Sequence, residues 1–163
     1  MKTFRSIIES PIGNLLIEAD DHGLTSLSFS DNIQVLGSQS NDHIVAAELQ
    51  LQEYFKGVRE DFDLPLSLDG YPPFYQKVWT ALQQVSYGET KTYLDIAYQL
   101  GDPKAVRAVG TANGKNPIAI IIPCHRVIGK NGKLVGYAWG IDTKRWLLRH
   151  EIAHSPVPEH LLF

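Results

Sequence analysis

The 163-residue chain has one cysteine, Cys124, and a histidine follows it directly. A lone thiol forms no internal disulfide and no cysteine-cluster zinc site, so its available chemistry is that of a free nucleophile. A free thiol ionises near pH about 8.5, which leaves only a few per cent as thiolate at neutral pH. An imidazole can remove the proton, directly or through a water, and a carboxylate can hold that imidazole in the required tautomer. His125 is the candidate base, and Glu151, in Arg149-His150-Glu151, is the candidate carboxylate. In an extended chain, successive side chains point opposite ways, so Cys124 and His125 need a bend or a bridging water between them. A Cys-His pair alone is more often structural than catalytic. A cysteine hydrolase would also need an oxyanion hole and an acyl substrate, and no motif for either is present. None of the six histidines falls at a metal-ligand spacing.

The elements that must hold this pair divide near residue 70. Phe4–Glu9, Asn14–Ala19 and Leu24–Phe29 alternate as strands, with turns at Pro11-Ile12-Gly13 and Asp20–Gly23. A helix is predicted over His43–Lys56, capped by Asp42, ended by Gly57, with Ile44, Val45, Leu49 and Phe55 on its apolar face. Phe62–Leu66 reads as one more strand and Ser67–Pro73 as a linker. Next comes a helix with Phe74, Val78, Leu82 and Val85 on one face, ended by Gly88. Thr92, with Asp95 three residues on, caps a short helix that stops at Gly101. Asp102-Pro103 opens another helix, running to Asn113-Gly114, and the tight connection suggests a helix-turn-helix. Helical hairpins that bind no DNA are the commoner use of that pattern. The β-branched run Ile118–Pro123 reads as a buried strand that delivers Cys124 at its end, with Pro123 stopping the pairing.

Charge follows the same division. The formal net charge is −3, but residues 1–69 carry four Lys and Arg against twelve Asp and Glu, and residues 70–163 eleven against six. The second half can face a polyanion, with the acidic half directed away from it. No apolar run approaches the roughly 20 residues that span a bilayer. The N-terminus reaches Glu9 before any signal-peptide core, so the expected location is the cytoplasm, where a free thiol stays reduced.

Pro123-Cys124-His125-Arg126-Val127, with Asn116-Pro117 upstream, resembles the active-site signature of the O6-alkylguanine-DNA alkyltransferases. The resemblance runs from about Phe74 to Glu151 and includes Tyr87-Gly88-Glu89-Thr90, Arg107-Ala108-Val109-Gly110, Gly136-Tyr137 and Arg145-Trp146-Leu147-Leu148. It implies an α+β fold. A small antiparallel-sheet domain of ribonuclease H-like layout, 1–69, precedes a winged-helix-like domain, 70–163, which binds DNA and accepts the alkyl group. The implied activity is irreversible transfer of an alkyl group from O6-alkylguanine in flipped-out duplex DNA to Cys124, once per molecule, with O4-alkylthymine a second candidate lesion. His125 would act as water-mediated base, Glu151 would orient it, Asn116 would brace the preceding turn, and Tyr93 would assist proton transfer to the leaving guanine. Arg107 would fill the gap in the base stack, on a helix surface made by Ala105, Ala108 and Gly110, with Lys115 on phosphate. Val127, Tyr137, Ala138 and Lys144 would line the pocket. The family's alkyltransferase-like members lack the acceptor cysteine, which Cys124 supplies here. Zinc-binding cysteines of some relatives are missing, so no metal or cofactor is expected, and the expected partner is damaged double-stranded DNA bound by a monomer. Trp139 stands where many relatives have glycine and is expected to shape the alkyl pocket.

Overall fold

The computed structural model describes residues 2–31 and 39–155, which fall into two compact units, Met1–Asp69 and Gly70–Phe163. The first is built on a meander of β1 (Phe4–Ile8), β2 (Leu15–Ala19) and β3 (Leu24–Phe29), antiparallel in that order. Strict alternation makes one face of β2 apolar: Leu15, Ile17 and Ala19 are fully buried, and Ile17 lies between Ser6 and Leu27. Helix α1 (Asp42–Phe55) packs on β1 and β2 through Ile44, Ala47, Leu51 and Tyr54, a seam spaced three, four and three residues apart. Val45 and Leu49, expected on that face, are instead more than half exposed. They lie one and two residues from the seam positions Ile44, Ala47 and Leu51, turned towards solvent. The cap is Asn41 rather than Asp42: Asn41 Oδ1 accepts from Ile44 N at 3.0 Å, and its backbone is extended. Both residue types cap well, so composition alone cannot choose between neighbours.

No strand forms over Phe62–Leu66. A single parallel bridge joins Leu24 to Leu66, made by Leu24 N donating to Pro65 O and Ser67 N to Leu24 O. Pro65 has no N–H to extend the ladder. Asp20 fastens this crossing: its carboxylate accepts from the backbone N of His22 and Gly23 and from the Ser67 hydroxyl at 2.6 Å. The Ser67 bond is foremost in holding the Asp20 carboxyl below its usual range.

In the second unit, α2 (Pro73–Gln83) starts with proline at a position needing no N–H. It buries Val78, Trp79, Ala81 and Leu82. It ends well before Gly88; Val85 is buried beyond the helix and Phe74 only half so. Strand β4 (Lys91–Thr92) leads into α3 (Tyr93–Gln99), whose capping box is complete: Asp95 N donates to Thr92 Oγ1, and Thr92 N to Asp95 Oδ2. Gly101 takes a left-handed φ of 79° after α3. The next helix begins as a 3-10 turn, Pro103–Ala105, and becomes α4 at Val106–Gly114. Helices α3 and α4 pack together as a helix-turn-helix, and Trp79 Nε1 ties α2 to α4 by donating to Ala112 O at 2.8 Å. Strand β5 (Val127–Ile128) pairs in parallel with β4, and α5 (Ile141–Ala153) closes the described chain. Among the described residues no helix is long and apolar enough to cross a membrane.

Gly23 is required by close approach. A Cβ there would lie 2.4 Å from the carbonyl oxygen of Pro65. Gly23→Ala must push the two segments apart, and is expected to cost about 1–3 kcal/mol. A lower urea midpoint for the first unit, with its slope unchanged, is the expected reading; an unaltered midpoint would show that the crossing adjusts freely.

Candidate active site

The segment before Cys124 is buried, as its composition predicts, but it is a folded-back loop rather than a strand. Ile122 N donates to Ile118 O and Ile121 N to Ala119 O, and Ile120 adopts a φ of 72°. A β-branched residue in the left-handed region is strained and needs support from its surroundings. Asn116 supplies part of it: Nδ2 donates to Ile122 O at 2.7 Å, and Oδ1 accepts from Ile118 N at 2.9 Å. One side chain thus clamps both ends of the loop. An apolar run of this length does not distinguish strand from packed loop, because both bury the same residues. Cys124–Arg126 then form one 3-10 turn, with Cys124 N donating to Ile122 O. Cys124 and His125 are therefore not in the extended geometry expected of a strand end. In a 3-10 turn, neighbouring side chains diverge by about a third of a circle.

His125 is fully buried, and its Nε2 donates to Glu151 Oε2 at 2.5 Å. Arg126 grips the same carboxylate twice, Nε to Oε1 at 2.8 Å and Nη2 to Oε2 at 3.1 Å. Its Nη1 donates to Val85 O, and its guanidinium lies over the Tyr87 ring. Gly88 N approaches Oε1 at 3.4 Å. Burial alone would raise the Glu151 pKa, but His125 and Arg126 outweigh it and hold the carboxyl far below the usual range. Burial is also the largest influence on His125 and lowers its pKa; Glu151 opposes this, while Arg126 and Lys144 add to it. The imidazole is thus neutral at pH 7, with its proton on Nε2 and Nδ1 as acceptor. Nδ1 has no hydrogen-bond partner among the described residues. Burial likewise pushes the Cys124 thiol up, against the hydrogen bond from Asn116 and the charge of Lys144. The resting site therefore holds a neutral thiol, a neutral imidazole with one acceptor nitrogen, and an ionised, fully bonded carboxylate.

Arg126 carries this arrangement, and reading the sequence assigned it no role. The available signal was a charged residue within a motif bounded by buried apolar positions: a buried guanidinium requires a counter-ion. Asn113, at the end of α4, was also missed; it is buried, and its Nδ2 donates to Cys124 O at 3.5 Å.

Lys144 of α5 is fully buried, and Nζ donates to Val127 O at 2.5 Å and to Val135 O at 3.0 Å, 6.0 Å from the ring centres of both Tyr93 and Tyr137. Burial lowers its pKa to about 8, and the charge of a Cys124 thiolate opposes this. The Tyr93 hydroxyl also donates to Val135 O, at 3.2 Å. Tyr137 and Trp139 meet edge to face, 6.1 Å apart, and Ala138 between them is exposed. On the helix-turn-helix, Arg107, Ala108 and Lys115 are exposed, and Ala105 and Gly110 partly so. Among the described residues, no three His, Cys, Asp or Glu side chains are grouped to hold a metal ion.

Glu151→Gln leaves the buried Arg126 guanidinium without a counter-ion and is expected to cost about 3–5 kcal/mol. The pH dependence has a definite sign. The folded Glu151 pKa is lowered, so its stabilisation is complete above the unfolded value of about 4.3 and is lost as pH falls towards the folded one. Urea midpoints of parent and variant should therefore converge below about pH 4.3. A gap that stays constant down to acid unfolding would contradict this account.

The domain description "6-O-methylguanine DNA methyltransferase, DNA binding domain" matches residues 73–153, and the corresponding ribonuclease-like domain matches residues 3–68. The methylated-DNA–protein-cysteine methyltransferase of Methanosarcina acetivorans is 48% identical over 91% of this chain and 97% of its own length. The constitutive enzyme of that name from Bacillus subtilis is 45% identical over 88% and 92%. Among solved structures, Mycobacterium tuberculosis O6-methylguanine methyltransferase superposes with a TM-score of 0.84 at 43% identity, covering 99% of this chain and all of that one. The M. tuberculosis OGT in complex with DNA gives 0.83 at 46% identity, covering 94% and 96%. On matches spanning both units, this chain belongs to the 6-O-methylguanine DNA methyltransferase family.

Proposed function

We propose that this chain repairs alkylated DNA by moving the alkyl carbon from O6 of guanine to the sulfur of Cys124. One observation carries the reading: the only thiol of the chain adjoins a buried neutral imidazole whose far nitrogen is tied to a buried carboxylate. The thiol proton passes through a water to His125 Nδ1, and Glu151 stabilises the resulting imidazolium. The thiolate attacks the alkyl carbon as the carbon–O6 bond breaks. The bonding electrons leave with guanine, which takes a proton from Tyr93; the imidazolium proton then returns through solvent to the Tyr93 phenolate. The products are unmodified guanine and an S-alkylcysteine. A thioether offers none of these groups a route to cleavage, so each molecule acts once.

Asn116 holds the acceptor loop in this scheme, while Val127, Tyr137, Ala138, Trp139 and Lys144 bound the pocket. A base inside the duplex cannot reach the sulfur and must be flipped, at a cost of a few kcal/mol. Arg107 fills the gap left in the stack, with small residues Ala105, Ala108 and Gly110 allowing close approach and Lys115 meeting phosphate. Residues 70–163 carry both DNA binding and alkyl transfer. The protein works as a monomer in the cytoplasm, where its thiol remains reduced.

Incubation with duplex O6-methylguanine should raise the intact mass by one methyl group per molecule, and Cys124→Ser should remove the shift. Repair of many lesions by one molecule would overturn the single-use scheme. Arg107→Ala should slow duplex repair about ten-fold or more, yet alter reaction with the free modified base less than about two-fold. Equal slowing in both assays would mean that Arg107 serves the chemistry rather than the flip.

A further inference from the structure

We propose that Asn113 sets the lesion preference of the pocket by accepting a hydrogen bond from the 2-amino group of the flipped guanine, beside the Cys124 carbonyl. The proposal rests on the reading of Cys124 as alkyl acceptor. Asn113 is only 3% exposed and lies on the last turn of α4. Its amide faces the Cys124 carbonyl at 3.5 Å. A carbonyl can only accept, so the nitrogen must be the atom that faces it, and Oδ1 is the other end of the group. That oxygen is buried and has no hydrogen-bond partner among the described residues. The other buried positions of α4, Val109 and Ala112, are apolar. A leucine in place of Asn113 would leave the Cys124 carbonyl its bond from Val127 N, so neither packing nor that carbonyl accounts for Oδ1.

The missing partner must be a donor. Alkylation at O6 removes the hydrogen from N1, which leaves the 2-amino group as the only donor on the edge of the base that carries the lesion. O6 and the 2-amino group flank N1. A base that presents its alkyl carbon to Sγ of Cys124 therefore brings its amine to the backbone of the same residue. The spans agree. The oxygen and nitrogen of one amide lie roughly 2.2 Å apart, so Asn113 Oδ1 is no more than about 5.7 Å from the Cys124 carbonyl oxygen. The two N–H groups of one amine, about 120° apart and donating bonds of about 2.9 Å, meet acceptors about 5.0 Å apart, which lies within that limit. Asn113 is about as buried as Cys124, which is 6% exposed, and its amide adjoins the backbone of the residue that carries the sulfur. O4-alkylthymine has no amino group there and would leave both acceptors unmet, which a site built for hydrogen bonding penalises.

The test compares duplexes carrying O6-methylguanine and O6-methylhypoxanthine, which differ only by the 2-amino group. The parent protein should methylate itself at least about ten-fold faster on the first. Asn113→Leu should reduce that ratio by about ten-fold, mainly by slowing the guanine reaction, with O6-methylhypoxanthine and O4-methylthymine rates within about two-fold of the parent. Its melting temperature should be unchanged or higher. Should Asn113→Leu fail to fold, Asn113→Met, whose unbranched chain adapts to irregular space, carries the same readout. An unchanged ratio, whether both rates fall together or neither does, overturns the proposal. If the parent fails to methylate itself on O6-methylguanine at all, the reading of Cys124 falls first.

Discussion

The second unit is organised around one ionised carboxylate held out of water. Glu151 sits on α5, and Arg126 and His125 sit on the turn that carries Cys124, so the three side chains join the last helix to the acceptor. An isolated buried charge is very costly, but here every lone-pair direction of the carboxylate is met by a donor. The division of labour matters for the chemistry. Arg126 supplies the permanent counter-charge, so Glu151 does not need a charged imidazole for neutrality. His125 can then rest neutral and retain an acceptor nitrogen. Burial is the larger influence in keeping the imidazole neutral, and Arg126 adds to it.

The same burial acts in the opposite direction on the nucleophile. It disfavours the thiolate, while Asn116 and Lys144 favour it. A thiol that is neutral at rest is poorly reactive towards stray electrophiles, because the thiolate is the nucleophile. In the proposed reaction its activation comes from His125, which ties reactivity to the geometry of that imidazole. Lys144 joins β5 to the segment before α5, since the carbonyls of Val127 and Val135 both accept from it. The Tyr93 hydroxyl shares the Val135 carbonyl. In the proposed reaction Tyr93 must release that carbonyl to donate to guanine, and the bond from Lys144 can hold the loop meanwhile.

Local signals were legible in the sequence, and closure over distance was not. The alternation of β2, the Thr92–Asp95 capping box and the glycine after α3 depend on neighbours within a few residues, and the structure has each of them. The acceptor motif was recognisable as a string, and His125–Glu151 followed from the needs of a thiol. The loop 118–122 was misread because burial, rather than pairing, selects its β-branched residues. Phe62–Leu66 was misread because a five-residue apolar alternation is sufficient for a strand only if a partner can bond along it, and Pro65 prevents that. Arg126 and Asn113 lay hidden for another reason. Each is polar, buried and bonded to a residue distant in sequence, and no periodicity marks such a pairing.

In the proposed reaction helix α4 serves both tasks of the second unit. Arg107 and Ala108 are exposed near its start, while Ala112 and Asn113 are buried near its end, bonded to Trp79 and to the Cys124 carbonyl. Because a helix transmits position with little compliance, docking of its outer surface fixes the height of its inner end. Trp79 anchors the helix to α2, so that end cannot slide without losing a buried bond. An acceptor that must meet a carbon in line needs placement to within about half an ångström. A loop alone does not supply it; a loop clamped by Asn116 and tied to α5 through Arg126, His125 and Glu151 can. In the proposed reaction the flipped base then meets one rigid element at both ends, Arg107 on the outside and Asn113 within.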